Sequence, residues 1–113
     1  KAVATRSSPQ LHKIHQAMNR HVALKLTHPQ FFRIGLSDHT AFYTAKVPVM
    51  YLFGGMHEDH NSPRDTPERL EMEKVRRVAL LAFLTGYAVA DREERIVFKV
   101  EPDDSGGLFG DAR

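Results

Sequence analysis

Val47-Pro48-Val49-Met50-Tyr51-Leu52-Phe53-Gly54-Gly55 is the most informative stretch of this chain. Its first seven residues are almost wholly apolar, rich in β-branched and aromatic types, and closed by two glycines. Such a run predicts a strand buried on both faces, the kind found in parallel α/β sheets. Pro48 is tolerable near the beginning of such a strand, where a missing N–H matters least. One buried strand cannot satisfy its own backbone edges. Its neighbours must come from more chain, from another subunit, or from strands the pattern does not reveal. The expected fold is therefore α/β: the C-terminal portion of a doubly wound, mostly parallel sheet flanked by helices, an incomplete domain.

On the N-terminal side, Ser8 and Pro9 begin a helix predicted to run to about Leu26. Ser8 is a good cap and Pro9 fits the first helical position. Leu11, Ile14, Met18 and Val22 recur at three- and four-residue spacing and form one apolar stripe. Pro29 disfavours helix at His28. Phe31-Phe32-Arg33-Ile34 reads as a short extended segment closed by Gly35. Ser37 then caps a short helix through about Ala45.

On the C-terminal side, a polar loop from Met56 to Asp65 follows the glycines. Thr66-Pro67-Glu68 starts a helix expected to reach about Ala90, with an acid against its positive end. Leu70, Val75, Val78 and Ala79 are its expected inward residues. Ala79-Leu80-Leu81-Ala82-Phe83-Leu84 is apolar nearly all round and predicts packing on several sides. Ile96–Val100 reads as an edge strand or an ordered tail. The domain is expected over residues 8–100, with 101–113 a linker or flexible tail rich in Pro, Asp, Ser and Gly.

Composition narrows the function classes. The chain has 113 residues, a formal net charge of +2, 42% apolar and 27% charged residues. Those values fit one folded domain and exclude a strongly basic nucleic-acid binder. No apolar run approaches the roughly 18 residues that cross a bilayer. The absence of Cys excludes disulfides, thiolate metal sites and Cys nucleophiles. Seven His remain as the imidazoles available for metal binding or proton transfer.

The Met56–Asp65 loop follows the end of the apolar strand, where α/β sheets place their sites. It carries His57 and His60, the carboxylates Glu58, Asp59 and Asp65, and the amide of Asn61. Divalent zinc takes nitrogen and oxygen donors of this kind. The same residues also suit an ordinary solvated loop, and spacing alone does not separate the two. His12 and His15, three apart on the first helix, lack an evident third ligand and read, with His21 and His28, as helix-surface residues. Arg76 and Arg77 read as part of a charged helix face.

The motifs Ser37-Asp38-His39, Phe42, Val47-Pro48, Gly54-Gly55, His57 and Asp65-Thr66, followed by a long helix, occur in one order. Together they resemble the C-terminal part of the zinc-dependent aminopeptidases of peptidase clan MH. These are relatives of bacterial leucyl aminopeptidase, glutamate carboxypeptidase and glutaminyl cyclase. The resemblance spans about Ser8 to Ala90. It implies a zinc metallopeptidase that cleaves peptides by a metal-bound water, with upstream segments supplying further ligands and the general base. It thus implies a chain inactive alone, completed by an N-terminal half or by self-association, with peptides as substrates. Export to a secreted or periplasmic location is implied by the resemblance only.

By the same resemblance the metal position falls at Asn61, four residues before Asp65, with an imidazole one residue earlier at His60. Either His60 takes the ligand role after a loop shift, or Asn61 ligates through its amide oxygen. The third arrangement is loss of the site, leaving a non-catalytic pseudo-peptidase with a structural or protein-interaction role. Asp38, His39, Phe42 and His57 are the implied second layer or substrate pocket. Asp65 and Thr66 read as a helix cap.

Overall fold

The computed structural model describes residues 2–28 and 37–100. The element order is β1 (Ala2–Ala4), α1 (Pro9–Val22), α2 (His39–Thr44), β2 (Tyr51–Phe53), a single 3-10 turn (Pro67–Arg69) and α3 (Met72–Ala90). The expected extended segment Phe31–Ile34 and the tail from Glu101 lie outside the described residues.

α1 starts as the sequence dictates. Ser8 is extended and its hydroxyl accepts from the Leu11 N–H, while Pro9 occupies the first turn. It ends earlier than Leu26 because Asn19 competes for the next backbone groups. The Asn19 amide donates to the Leu24 carbonyl at 2.9 Å and accepts from the Leu24 N–H at 3.1 Å. Ala23 turns into the left-handed region at φ 55° to make this closure.

The parallel-sheet expectation is overturned. Among the described residues the sheet has two strands, β1 and β2, and they are antiparallel. The register pairs Ala2 with Phe53, Val3 with Leu52 and Ala4 with Tyr51. An apolar run reports burial, not the direction of its neighbour, and the partner Ala2-Val3-Ala4 is too short to leave a period. The strand is also shorter than Val47–Phe53. Pro48 has no N–H to give, and the polar groups of Val49 are already taken by a side chain. Ser7 Oγ donates to the Val49 carbonyl at 3.1 Å and accepts from the Val49 N–H at 2.8 Å. Pairing with β1 begins only at Tyr51, and Tyr51, Leu52 and Phe53 are half-buried rather than enclosed on both faces.

The helix expected from Thr66 to Ala90 is interrupted. After Pro67–Arg69 the chain is extended at Leu70, with φ −71° and ψ 127°, and α3 begins at Met72. α3 packs against α1. Leu81 has no exposed surface and meets Val22 and Leu24, with Met18, Leu26, Val78 and Leu84 around them. Ile96–Val100 forms no strand, but it is ordered against the start of α1. The Lys99 N–H donates to the Ser7 carbonyl at 2.9 Å and the Val97 N–H to Gln10 Oε1 at 2.9 Å.

Three further expectations fail. The outer face of α3 is open, with Phe83 66% exposed and Tyr87 60% exposed, because α1 covers only one side of it. Arg77 is not a free surface charge. Its guanidinium donates to the Val22 carbonyl (3.2 and 2.5 Å) and to the Ala23 carbonyl (2.7 Å), satisfying the end of α1. His15 is not a surface residue either. It is fully buried, with Nδ1 3.4 Å from Thr85 Oγ1 on α3. No described helix is long and apolar enough to cross a membrane.

Burial, and then the neighbouring His28 and His12, lower the His15 pKa from 6.5 to about 4. The unfolded chain takes up this proton below pH 6.5 and the folded chain only near pH 4. Stability is therefore full above pH 6.5 and falls as pH drops through that window, by about 2 kcal/mol after discounting for solvent screening. Urea unfolding at pH 7 and pH 4.5 will show this loss, and His15→Gln will flatten it. Arg77→Leu removes charge-assisted bonds to two carbonyls and will lower stability by about 1.5–3 kcal/mol in the same assay.

Candidate functional site

The chain leaves β2 through Gly54 and Gly55. Gly55 has φ 104°, a conformation that disfavours any side chain, and this turns the chain into the Met56–Asp65 loop. Two overlapping turns then fold the loop on itself. The His60 N–H donates to the His57 carbonyl at 3.1 Å, and the Ser62 N–H to the Asp59 carbonyl at 3.0 Å. The first turn places His57 and His60 at its two ends, on the same side. Their ring centroids are 5.8 Å apart.

A third turn bond, from the Asp65 N–H to the Ser62 carbonyl at 3.1 Å, brings Asp65 back toward the imidazoles. His57 Nε2 lies 3.9 Å from Asp65 Oδ2. One donor atom from each of His57, His60 and Asp65 falls within 4.8 Å of the other two. Among the described residues this is the one group of three or more such side chains that meets that distance.

The loop is held by a residue that contributes nothing to this group. Asp59 is 4% exposed in an otherwise open loop. Its carboxylate accepts from Arg64 Nε at 2.7 Å and from Arg69 Nη1. A buried carboxylate needs such donors. Since Arg69 belongs to the 3-10 turn, Asp59 ties the loop to the segment that leads into α3. That tie accounts for the break before Met72: the turn is held against the loop, and the helix restarts beyond it.

Beside the loop lies a groove of about 850 Å³. Leu24, Leu26, Leu52 and Val78 give it apolar walls, and His57, Asp65 and the Glu71–Lys74 pair (3.5 Å) give it polar lining. Leu70, Val75 and Ala79, expected to point into the core, line this groove instead and remain exposed.

The residues singled out by sequence do not all converge. His57 and His60 do, with Asp65, which reads in the sequence as a helix cap. Asp65 caps nothing: Thr66 is the residue preceding the 3-10 turn, and its side chain makes no capping bond. Asp65 was legible only as the third donor in one ten-residue loop. Asn61 is exposed at φ 57°, in the left-handed region where Asn is the best tolerated residue after Gly. Asp38 precedes α2 without a side-chain capping bond. His39 stacks on Tyr51 with centroids 4.3 Å apart. Phe42 is 57% exposed. Asp38, His39 and Phe42 contribute nothing to the lining of the groove.

Two imidazoles and a carboxylate are a donor set suited to zinc, and three protein ligands with an open position are the pattern of catalytic rather than structural zinc. Zn–N bonds of about 2.0–2.1 Å set two ring centres on one tetrahedral ion roughly 5.2 Å apart. The 5.8 Å between His57 and His60 is within a small ring rotation of that value. The donors match zinc in kind, but they stand up to 4.8 Å apart, wider than the roughly 3.3 Å between two donors on one tetrahedral ion, so holding one requires the side chains to rotate inward.

Compared with known proteins, the chain matches no family model, no curated protein sequence and no solved structure.

Asp59→Ala leaves Arg64 and Arg69 without their shared acceptor and frees the loop. Both arginines are more than half exposed, so the stability loss will be modest, about 1–3 kcal/mol by thermal melt. The larger effect will be on the loop, seen as a loss of amide protection from exchange confined to residues 57–66.

Proposed function

We propose that this chain carries a zinc-binding loop, His57–His60–Asp65, that forms part of a metallopeptidase-type hydrolytic centre. The observation that carries the reading is the convergence of these three donors beside a groove with apolar walls. The motif order shared with clan MH aminopeptidases supports the same chemistry, with peptides as the substrate class.

A zinc ion held by His57, His60 and Asp65 would supply an acidified water and a Lewis acid for a substrate carbonyl. The chain's own residues have separate tasks. His57 and His60 would offer imidazole nitrogens to the ion, and Asp65 a carboxylate oxygen. Asp59 keeps the three in register through Arg64 and Arg69. The groove beside them accepts an apolar side chain of the substrate and sheds water from it. A general base and a second set of ligands are not among these residues. Hydrolysis then requires a complementary segment or chain, and this chain alone holds metal without turnover.

One observation favours a second reading, the non-catalytic pseudo-peptidase. Asn61 stands where the resemblance implies a ligand His, and its left-handed backbone gives Asn a conformational reason to be there.

Native mass spectrometry and zinc titration calorimetry on the full chain separate the two. Zinc that stays bound to this loop, weakened at least about 10-fold by His60→Ala or His57→Ala, supports the zinc-peptidase reading. A complementary polypeptide in the same spectrum, with hydrolysis of an N-terminal leucine amide by the complex, completes it. A loop that takes no zinc until Asn61→His is introduced overturns it in favour of the pseudo-peptidase.

A further inference from the structure

Two faces of α3 are used inside the chain. Leu81 and Thr85 turn toward α1, and Val75, Val78 and Ala82 line the groove beside the loop. The face turned away from α1 takes part in neither. Leu80, Phe83 and Tyr87 recur along it at three- and four-residue spacing, and Met72 and Arg76 continue the stripe toward the helix start. All five are exposed, Phe83 and Tyr87 by more than half. The Phe83 and Tyr87 rings lie 6.2 Å apart, tilted by 31°, and make one aromatic ridge. A contiguous apolar ridge of this kind in water gains free energy when it is covered.

The shape of this face suits a second copy of itself. Gly86 is exposed beside the ridge, and a Cβ added there would meet no atom within 4 Å. Glycine weakens a helix interior, and no contact among the described residues calls for one at this position. Gly86 and the exposed Ala90 leave a shallow channel along the ridge, where a ridge of another helix can lie close. A ridge and a channel side by side on one helix complement each other about a twofold axis.

The charges on α3 specify the direction. Asp91 ends the helix, and the last turn carries no basic residue, so an acid stands at the negative end of the helix dipole without a cation beside it in that turn. Arg76 stands near the other end of the stripe. Its Nε and Nη2 donate to Glu73 at 2.8 and 2.7 Å, which leaves Nη1 for another acceptor. Antiparallel helices that cross near Phe83 bring Arg76 of each copy level with Asp91 of the other. Parallel helices would set Arg76 against Arg76 and Asp91 against Asp91, and like charges repel.

We propose that the chain forms a homodimer in which the outer faces of two α3 helices pack antiparallel across a twofold axis near Phe83. Leu80, Phe83 and Tyr87 form its apolar centre, and Arg76–Asp91 pairs close its two ends. The dimer is independent of the zinc reading, since none of these five residues lines the groove or belongs to the loop.

The test is sedimentation velocity on the full chain in the presence of a chelator, so that zinc bridging two exposed loops contributes nothing. A reversible dimer with a dissociation constant on the order of 10–100 µM is expected for a contact along one helix. Phe83→Glu will weaken it at least about 10-fold, with an unchanged circular dichroism spectrum because the side chain is exposed in the monomer. Arg76→Glu and Asp91→Arg will each weaken it alone, by setting like charges together at both ends. An equimolar mixture of these two variants will recover the dimer, because both ends of the mixed pair then join opposite charges. A chain that stays monomeric through that concentration range overturns the proposal. So does a dimer that Phe83→Glu leaves intact, or a mixture of the charge variants that dimerises no better than either alone.

Discussion

Leu81 has no exposed surface, and it lies where α1 and α3 meet. The way these two helices meet also sets the polar contacts between them. Among the described residues the apolar part of the core has four buried members, Leu11, Val22, Leu24 and Leu81. It is supplemented by polar groups that reach between the same two helices. Arg77 closes the end of α1 from α3, and Thr85 meets His15. Both contacts are specific to one rotation of α3 about its axis. Apolar packing brings the helices together; the polar contacts decide which faces meet.

That choice of face has consequences at the other end of α3. With Leu81 and Thr85 turned toward α1, Val75, Val78 and Ala79 fall along the groove below β2. The extended link at Leu70 and the Asp59–Arg69 tie then fix where the polar loop stands relative to the groove. Ser7 acts similarly on the strand side, occupying both polar groups of Val49 and limiting β2 to Tyr51–Phe53. A few side-chain-to-backbone contacts thus replace the long hydrogen-bonded ladders that a larger sheet would supply.

Local chemistry was readable where it depends on neighbours in the chain. Ser8-Pro9 announces the start of α1, and Gly54-Gly55 ends the strand. The loop with His57 and His60 was legible as a concentration of donors. Asp65 was harder, because Asp followed by Thr-Pro-Glu has an equally good local explanation as a helix start. The break at Leu70 has no local signal. It follows from an ion pair between the buried Asp59 carboxylate and the half-exposed Arg69, ten residues apart, whose formation depends on how the loop folds.

Residue order alone settled the start of α1 with its Ser8 cap, the end of α3 at about Ala90 and the chemical character of the loop, because these follow from backbone sterics and hydrogen bonds within a few residues. It did not settle the direction of strand pairing, the burial of His15 or the role of Arg77. An apolar run carries no record of which way its neighbour runs, so a parallel sheet and the antiparallel pair of β1 with β2 are equivalent readings of Val47–Phe53. A histidine on a helix is solvated or enclosed according to what packs above it. His15 and His28 become neighbours, and Arg77 becomes a cap, only when α1, α3 and the returning chain occupy one volume. Long-range packing makes these choices, since the free energy that decides them belongs to contacts between residues far apart in the chain.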